Sequence, residues 1–261
     1  MPDVSIITCA RNAEATIRLA IESVANQSFR DFEYIVVNGM STDGTANIIA
    51  SRRDVISKVI EAAPNGISDA FNVGIRNATG RYIQFLNADD ELLPNKIETS
   101  VRIASALQAS FVFGDIDFCK GDGSTKYRIS GDPHYRRRIR YFCPRINHPT
   151  FLTNADAFRV VGEFSTSYKI AMDYDWALRA ANMGIYGVYN KEIKVAMKEG
   201  GVSSNWRAAL NEERAIVQKH GGRLRSIYSV WRYYRTSIRR SLGDFALAAL
   251  VRGLRNGISF D

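Results

Sequence analysis

The chain has 261 residues, 46% apolar and 24% charged, ample for one large α/β domain or one domain with an appendage. Its charge of +8 is concentrated beyond residue 204, with 11 Lys/Arg against 4 Asp/Glu there (+7) and 24 against 23 before it (+1), an asymmetry that concerns partners rather than fold. Cys9, Cys119 and Cys143 lack metal-ligand spacing and point to a reducing cytosol, and no apolar run approaches the roughly 20 residues of a membrane span.

Met1 leads almost directly into the strand-like Val4–Thr8, so no signal peptide is expected. Ile17, Ile21 and Val24 then recur at helical spacing. Phe32–Asn38 reads as the second strand and Gly39 as a tight turn, with Ser41 or Thr42 capping a helix that runs towards Arg53. Val55–Glu61 is the third strand, Ser68–Asn77 a helix, and Tyr82–Leu86 the fourth strand. A helix from Pro94 to about Gln108 and a strand at Phe111–Asp117 follow. From Cys119 to Asn147 glycines, Pro133 and a run of arginines break the pattern, which reads as a mobile insertion with one hairpin. Regularity returns with a strand at Thr150–Thr153, helices at Asp156–Val161 and Asp173–Met183, and a strand at Ile185–Met197 that stops at Gly200 and Gly201. The remainder is helical by period. Alternating strands and helices predict an α/β fold, a Rossmann-like, mostly parallel central sheet flanked by helices, with a C-terminal helical extension.

The stretch Tyr82–Pro94, YIQFLNADDELLP, carries the most chemistry. An apolar strand runs straight into Asn87, Ala88, Asp89 and Asp90. Adjacent carboxylates repel, and a divalent cation that keeps positions open for phosphates is their usual compensator. An acidic turn is the plainer reading, and for an isolated pair the better one. Three more polar loops fall on the same sheet edge: Thr8-Cys9-Ala10-Arg11-Asn12, Asn38–Gly44, and Pro64–Asp69 leading into Asn72. Ligands of open α/β sheets sit at that edge.

The segments VSIITCARNAEATIRLAIESVANQSFRDFEYIVVNGMSTDGT, GISDAFNVGIRNATGRYIQFLNADD and AMDYDWALRA resemble family 2 glycosyltransferases of GT-A fold, over about residues 3 to 204. The resemblance implies inverting transfer of a sugar from a nucleotide-sugar to an acceptor hydroxyl. It implies a catalytic domain over 1–204, with nucleotide-sugar binding in about 1–118 and the acceptor part in about 119–204. Thr8, Cys9, Ala10, Asn12, Asn38 and Gly39 would hold the nucleobase and ribose, with Asp69 and Asn72 also on the donor. Asn87, Ala88 and Asp89 match the DXD-type motif, which holds the ribose and a Mn²⁺ or Mg²⁺ ion on the diphosphate; Asp89 is the metal ligand, with Asp90 second. Asp173 matches the catalytic base of a motif like Glu-Asp-x-Asp, here Met172-Asp173-Tyr174-Asp175, at a helix start that favours its ionised form. Taken alone, Asp173 is a helix cap; Asp175 is supporting, pairs with Arg179, or lies on the acceptor side.

Three positions depart from the pattern. Asn38 replaces an acid, so uracil would be read without a charge-assisted bond; Asn87 replaces the first Asp of the motif; and Phe71 stands where an arginine is common. His148 before Pro149 has two readings, contact with acceptor or diphosphate and a hydrogen-bonded structural imidazole, with metal ligation third. Glu199-Gly200-Gly201 resembles a segment bordering the acceptor, although the glycines also suit a strand end.

Residues 205–261 form the basic amphipathic extension. Ile227, Trp231, Tyr234 and Ile238 make an apolar stripe within 223–240, among six arginines and no acid. An anionic membrane surface fits it, placing the protein on the inner face of the cell membrane beside a lipid-linked saccharide acceptor. Packing on the catalytic domain, or a homodimer through the same stripe, is the alternative. No recognition motif accompanies the charge, which disfavours nucleic acid. The rival functions are a nucleotidyltransferase, disfavoured because Thr8–Asn12 has neither glycine nor lysine, and a non-catalytic nucleotide-sugar-binding module on a membrane surface.

Overall fold

The computed structural model describes residues 1–119, 124–198 and 205–220. Strands β1 (Val4–Ala10), β2 (Phe32–Asn38), β3 (Lys58–Glu61) and β4 (Tyr82–Asn87) pair in parallel in the order β3-β2-β1-β4. The sheet continues through β8 (Leu152–Asn154), β6 (Phe111–Cys119), β9 (Val188–Lys198) and β5 (Glu91–Leu92). β8 runs against both β4 and β6, and β5 runs against β9. Every residue of β1 is buried, as expected of a parallel strand covered on both faces.

Two cores result. On one face Ile6, Tyr34 and Val36 pack under α1 (Ile17–Ala25), α2 (Thr45–Ala50) and α4 (Lys96–Ala106). Ile17, Ile21 and Val24 of α1 are fully buried, each contributing about 1.5–3 kcal/mol over an exposed position. On the other face Ile7, Phe85 and Phe111 pack under α3 (Ile67–Asn77), α6 (Ala155–Val161), α7 (Met172–Asn182) and α8 (Trp206–His220).

Several expectations need correction. α2 starts at Thr45 rather than after Ser41 or Thr42, because Ser41 bonds Asn38 and Asn12 while Thr42 bonds Asn12; Asp43 Oδ1 accepts the Thr45 N–H instead. β3 begins at Lys58, since 51–55 are turn. The two-residue β5 escapes any periodicity. The segment after Cys119 supplies one strand, β7 (Thr125–Ile129), which pairs back on β6, and its described part is built into the fold. Tyr135 of α5 (Tyr135–Arg138), Ile139 and Ile146 are core residues, and Arg138 pairs with the buried Asp132 at 2.8 Å. His148–Thr150, expected to open a strand at Thr150, is a 3-10 turn. Of the helical extension, 206–220 is α8; the stripe within 223–240 and Glu199-Gly200-Gly201 lie outside the described residues. Among the described residues, no helix is long and apolar enough to cross a membrane.

Candidate active site

The parallel register sets Ala10 beside Asn38, Asn38 beside Glu61, and Cys9 beside Asn87. The carboxyl ends of β1 to β4 therefore form one line of polar residues. The loops leaving them are laced together. Gly39 N–H donates to Ala10 O (2.7 Å), Asn12 N–H to Ser41 Oγ (3.0 Å), and Thr42 N–H to Asn12 Oδ1 (2.9 Å). Asn12 and Met40 hold left-handed backbone, φ 51° and 55°, which an asparagine tolerates well and methionine does not. These bonds hold that conformation.

Asn38 is 2% exposed, and both ends of its amide are engaged. Nδ2 donates to the two oxygens of Glu61 (2.9 and 3.1 Å), and Oδ1 accepts from Ser41 Oγ (2.6 Å). An aspartate here would face the Glu61 carboxylate, so the amide is what this neighbour requires. The charge that the resemblance puts at the end of β2 sits one strand over, on the exposed Glu61. Sequence reading missed Glu61; its place as the last residue of β3 was the available signal.

The other donor-side residues divide into wall and support. Thr8 is fully buried and its Oγ1 accepts from Tyr34 OH at 3.0 Å, so its side chain belongs to the core behind the site. Cys9 and Ala10 are buried too, and burial raises the Cys9 thiol well above its ordinary pKa. Asn72 spends its amide on the Phe164 backbone, Nδ2 to O at 2.9 Å and Oδ1 from N–H at 3.0 Å, which makes it a strut. Asp69 in the first turn of α3 accepts the Asn65 N–H at 2.9 Å.

At the end of β4, Asn87 Nδ2 donates to Asp90 Oδ2 at 2.8 Å, and Asp90 is 2% exposed beneath the buried Ala88. Asp89 is exposed and has no hydrogen-bond partner among the described residues. A solvent-facing carboxylate without a partner fits a Mg²⁺ or Mn²⁺ ion completed by phosphate oxygens and water. No three His, Cys, Asp or Glu groups among the described residues come together as an all-protein cage. Asp89 therefore suits the metal and Asp90 faces the protein.

Asp173 is the second residue of α7, half-buried, its Oδ1 accepting the Tyr174 N–H at 2.7 Å. Desolvation pushes its carboxyl up to about 6, with Glu213 and Glu212 adding to the rise and the backbone N–H groups opposing it. The N–H groups of the helix start do favour the ionised form, as expected, but burial outweighs them. α7 is tied to the sheet edge through the first turn of α3, where Ser68 Oγ donates to Tyr168 O (2.8 Å) and contacts Met172 Sδ (3.0 Å). Asp175, 1% exposed, is bonded to Arg179 Nε (2.8 Å) and His220 Nε2 (3.1 Å), so both its oxygens are spent in the packing of α7 on α8.

His148 lies in a box of aromatic rings. It stacks on Phe85 (5.2 Å, 25°) with Phe71, Phe151 and Phe164 at its edges. Burial lowers its pKa to about 4, so it is neutral, and Nε2 is buried without a partner among the described residues. The structural reading thus holds in part: the imidazole is core, without the hydrogen bond expected of it.

Polar loops gathered on one sheet edge, an exposed carboxylate on Asp89 and a second carboxylate with a raised pKa on Asp173 are the parts a group-transfer site requires. The sequence model of Glycosyl transferase family 2 matches residues 5–162. A PGL/p-HBAD biosynthesis glycosyltransferase of Mycobacterium bovis (strain BCG / Pasteur 1173P2) is 29% identical over 78% of this chain and 80% of its own. An uncharacterized glycosyltransferase of Rickettsia typhi is 32% identical over 82% of this chain and 70% of its own. Among solved structures, Staphylococcus aureus TarS 1-349 superposes with TM-score 0.65 at 15% identity, covering 92% of this chain and 75% of that one. The longer TarS structure covers 93% of this chain, which spans only 44% of it. The mannosyltransferase PcManGT of Pyrobaculum calidifontis, in complex with GDP-Man and Mn²⁺, gives 0.63 at 17% identity, covering 99% and 76%. The chain belongs to glycosyltransferase family 2: it is a glycosyltransferase with the GT-A fold.

Proposed function

We propose that the protein transfers a sugar, a hexose or N-acetylhexosamine, from a UDP-sugar to a hydroxyl of a lipid-linked or saccharide acceptor, with inversion, in making a surface polysaccharide or glycolipid. The observation that carries this reading is Asp173. Its carboxyl has a pKa of about 6, on a helix pinned to the same sheet edge as the donor loops. At neutral pH such a group is ionised yet basic enough to take the acceptor proton as the new bond forms. Uracil is supported by a TarS structure in complex with UDP-GlcNAc, TM-score 0.63 at 16% identity. Asn38 keeps one amide face of the base site neutral while Glu61 offers a charged acceptor to a donor N–H.

The bonded loops of β1 and β2 hold the nucleotide, and Asp89 would hold a Mn²⁺ or Mg²⁺ ion. When bound, that ion neutralises charge developing on the departing nucleoside diphosphate. Inversion sets Asp173 on the face of the sugar opposite that diphosphate, where it orients and deprotonates the acceptor hydroxyl. The basic stripe 223–240, read from sequence alone, would bring the chain to the inner face of the membrane.

Thermal unfolding with UDP, UDP-GlcNAc, GDP and GDP-mannose, each with and without Mn²⁺, tests the donor class. A uridine nucleotide at 100 Kd stabilises by about 2.7 kcal/mol, and more weakly when Mn²⁺ is absent. Stabilisation by guanosine nucleotides alone would overturn the base assignment. Stabilisation by none of the four would overturn the UDP-sugar assignment.

A further inference from the structure

The loop that enters α7 is held from outside. Glu212 of α8 accepts three consecutive backbone N–H groups, from Lys169 (2.9 Å), Ile170 (2.8 Å) and Ala171 (2.8 Å). Ala171 is the N-cap of α7 and has no side chain able to bond the first turn. The N–H groups of a helix entry need an acceptor, and an ionised one bonds them most strongly. The residue before Asp173, where the resemblance expects a glutamate, is Met172, so the carboxylate serving this helix entry comes from α8.

We propose that Glu212 is a positioning residue for the transfer reaction: it anchors the start of α7, fixing where the Asp173 carboxylate stands, and its charge offsets the positive end of that helix. The proposal rests on reading Asp173 as the base. An uncompensated helix N-terminus stabilises a nearby anion and would weaken Asp173 as a proton acceptor. Glu212 and Glu213 act in the opposite sense. Of the other ionisable groups around this end, Glu213 lies beside Glu212 on α8 and adds to the same effect, and Lys169 is exposed at the start of the loop. Asp175 is bonded to Arg179 and His220, and Asp69 of α3 takes the Asn65 N–H and lies 3.9 Å from Arg76. Tyr168, whose hydroxyl burial pushes up, stays neutral. Glu212 alone among them bonds the α7 entry directly.

The test compares Glu212→Gln and Glu212→Ala with the parent in the full chain. It measures kcat against pH, donor KM, and hydrogen exchange of the 169–171 amides. With Gln, the acid limb of kcat moves down by about half a pH unit and donor KM stays put. With Ala, those amides exchange faster and kcat falls about 10- to 100-fold at unchanged donor KM. A Gln profile superimposed on the parent's, with unchanged exchange in Ala, overturns the proposal. If Ala fails to fold, the Gln profile decides. Turnover surviving in Asp173→Asn would overturn the base assignment instead, and the inference with it.

Discussion

The donor loops from Thr8 to Asp90 and the segment from His148 to Asp175 satisfy their polar groups in different ways. In the first, amides, hydroxyls and acids bond one another and the loop backbone, as in the Asn12–Thr42, Asn38–Ser41 and Asn38–Glu61 contacts, and Asp89 stands exposed with no hydrogen-bond partner among the described residues. In the second, burial acts on the carboxyl and imidazole groups themselves, raising Asp173 to about 6 and lowering His148 to about 4. A binding surface needs fixed shape, which mutual hydrogen bonding supplies at little electrostatic cost. A proton acceptor needs a tuned affinity, which desolvation supplies at some expense in stability.

That contrast can be broken most sharply at Asp173. Asp173→Asn should lower kcat about 10³-fold while calorimetry shows unchanged donor affinity; a weakened donor with retained turnover would reverse the two roles. Asp89→Ala should cost about 100-fold in kcat at fixed Mn²⁺ and abolish the Mn²⁺ dependence of nucleotide binding, read by titration. In the parent, kcat/KM should hold above pH 6 and fall about tenfold per unit below it, because protonation near 6 removes the acceptor for the proton. Asp173 also carries a stability consequence with a defined sign. A carboxyl whose folded pKa exceeds its unfolded one favours folding below about pH 4 and loses that contribution as pH rises through 6. Asp173→Asn should therefore stabilise by about 1–2 kcal/mol at pH 7.5, allowing for the solvent that reaches it, and by little at pH 4, as denaturant melts would show. The smallest effect is expected at His148, where Phe fills the ring box and removes an unbonded Nε2. Stability should stay within about 1 kcal/mol of the parent and kcat/KM should not change.

The same division governs what the sequence makes legible. β1, β2 and β4 carry runs such as Ile6-Ile7 and Tyr34–Val37 that no other element would bury, and the loops after them follow by position. β5 and α5 have no period of their own. β5 exists because Glu91 and Leu92 meet Ala196 and Val195, and α5 because Tyr135 and Ile139 find the core. Single residues of the site were visible by type, but their state was not. That Asn38 faces Glu61 or Asn72 braces residue 164 depends on neighbours far away in the chain. Glu212, 39 positions beyond Asp173, left no local trace at all.

Ser68 and Asn72 have a mechanical consequence. Both lie on the helix that follows the third donor loop, and both bond the stretch from residue 164 to 172. Parting α3 from that stretch would sever these bonds together, at roughly 1 kcal/mol apiece. The helix after the third loop and the start of α7 are therefore joined by side chains as well as by packing, so a displacement of one is carried to the other.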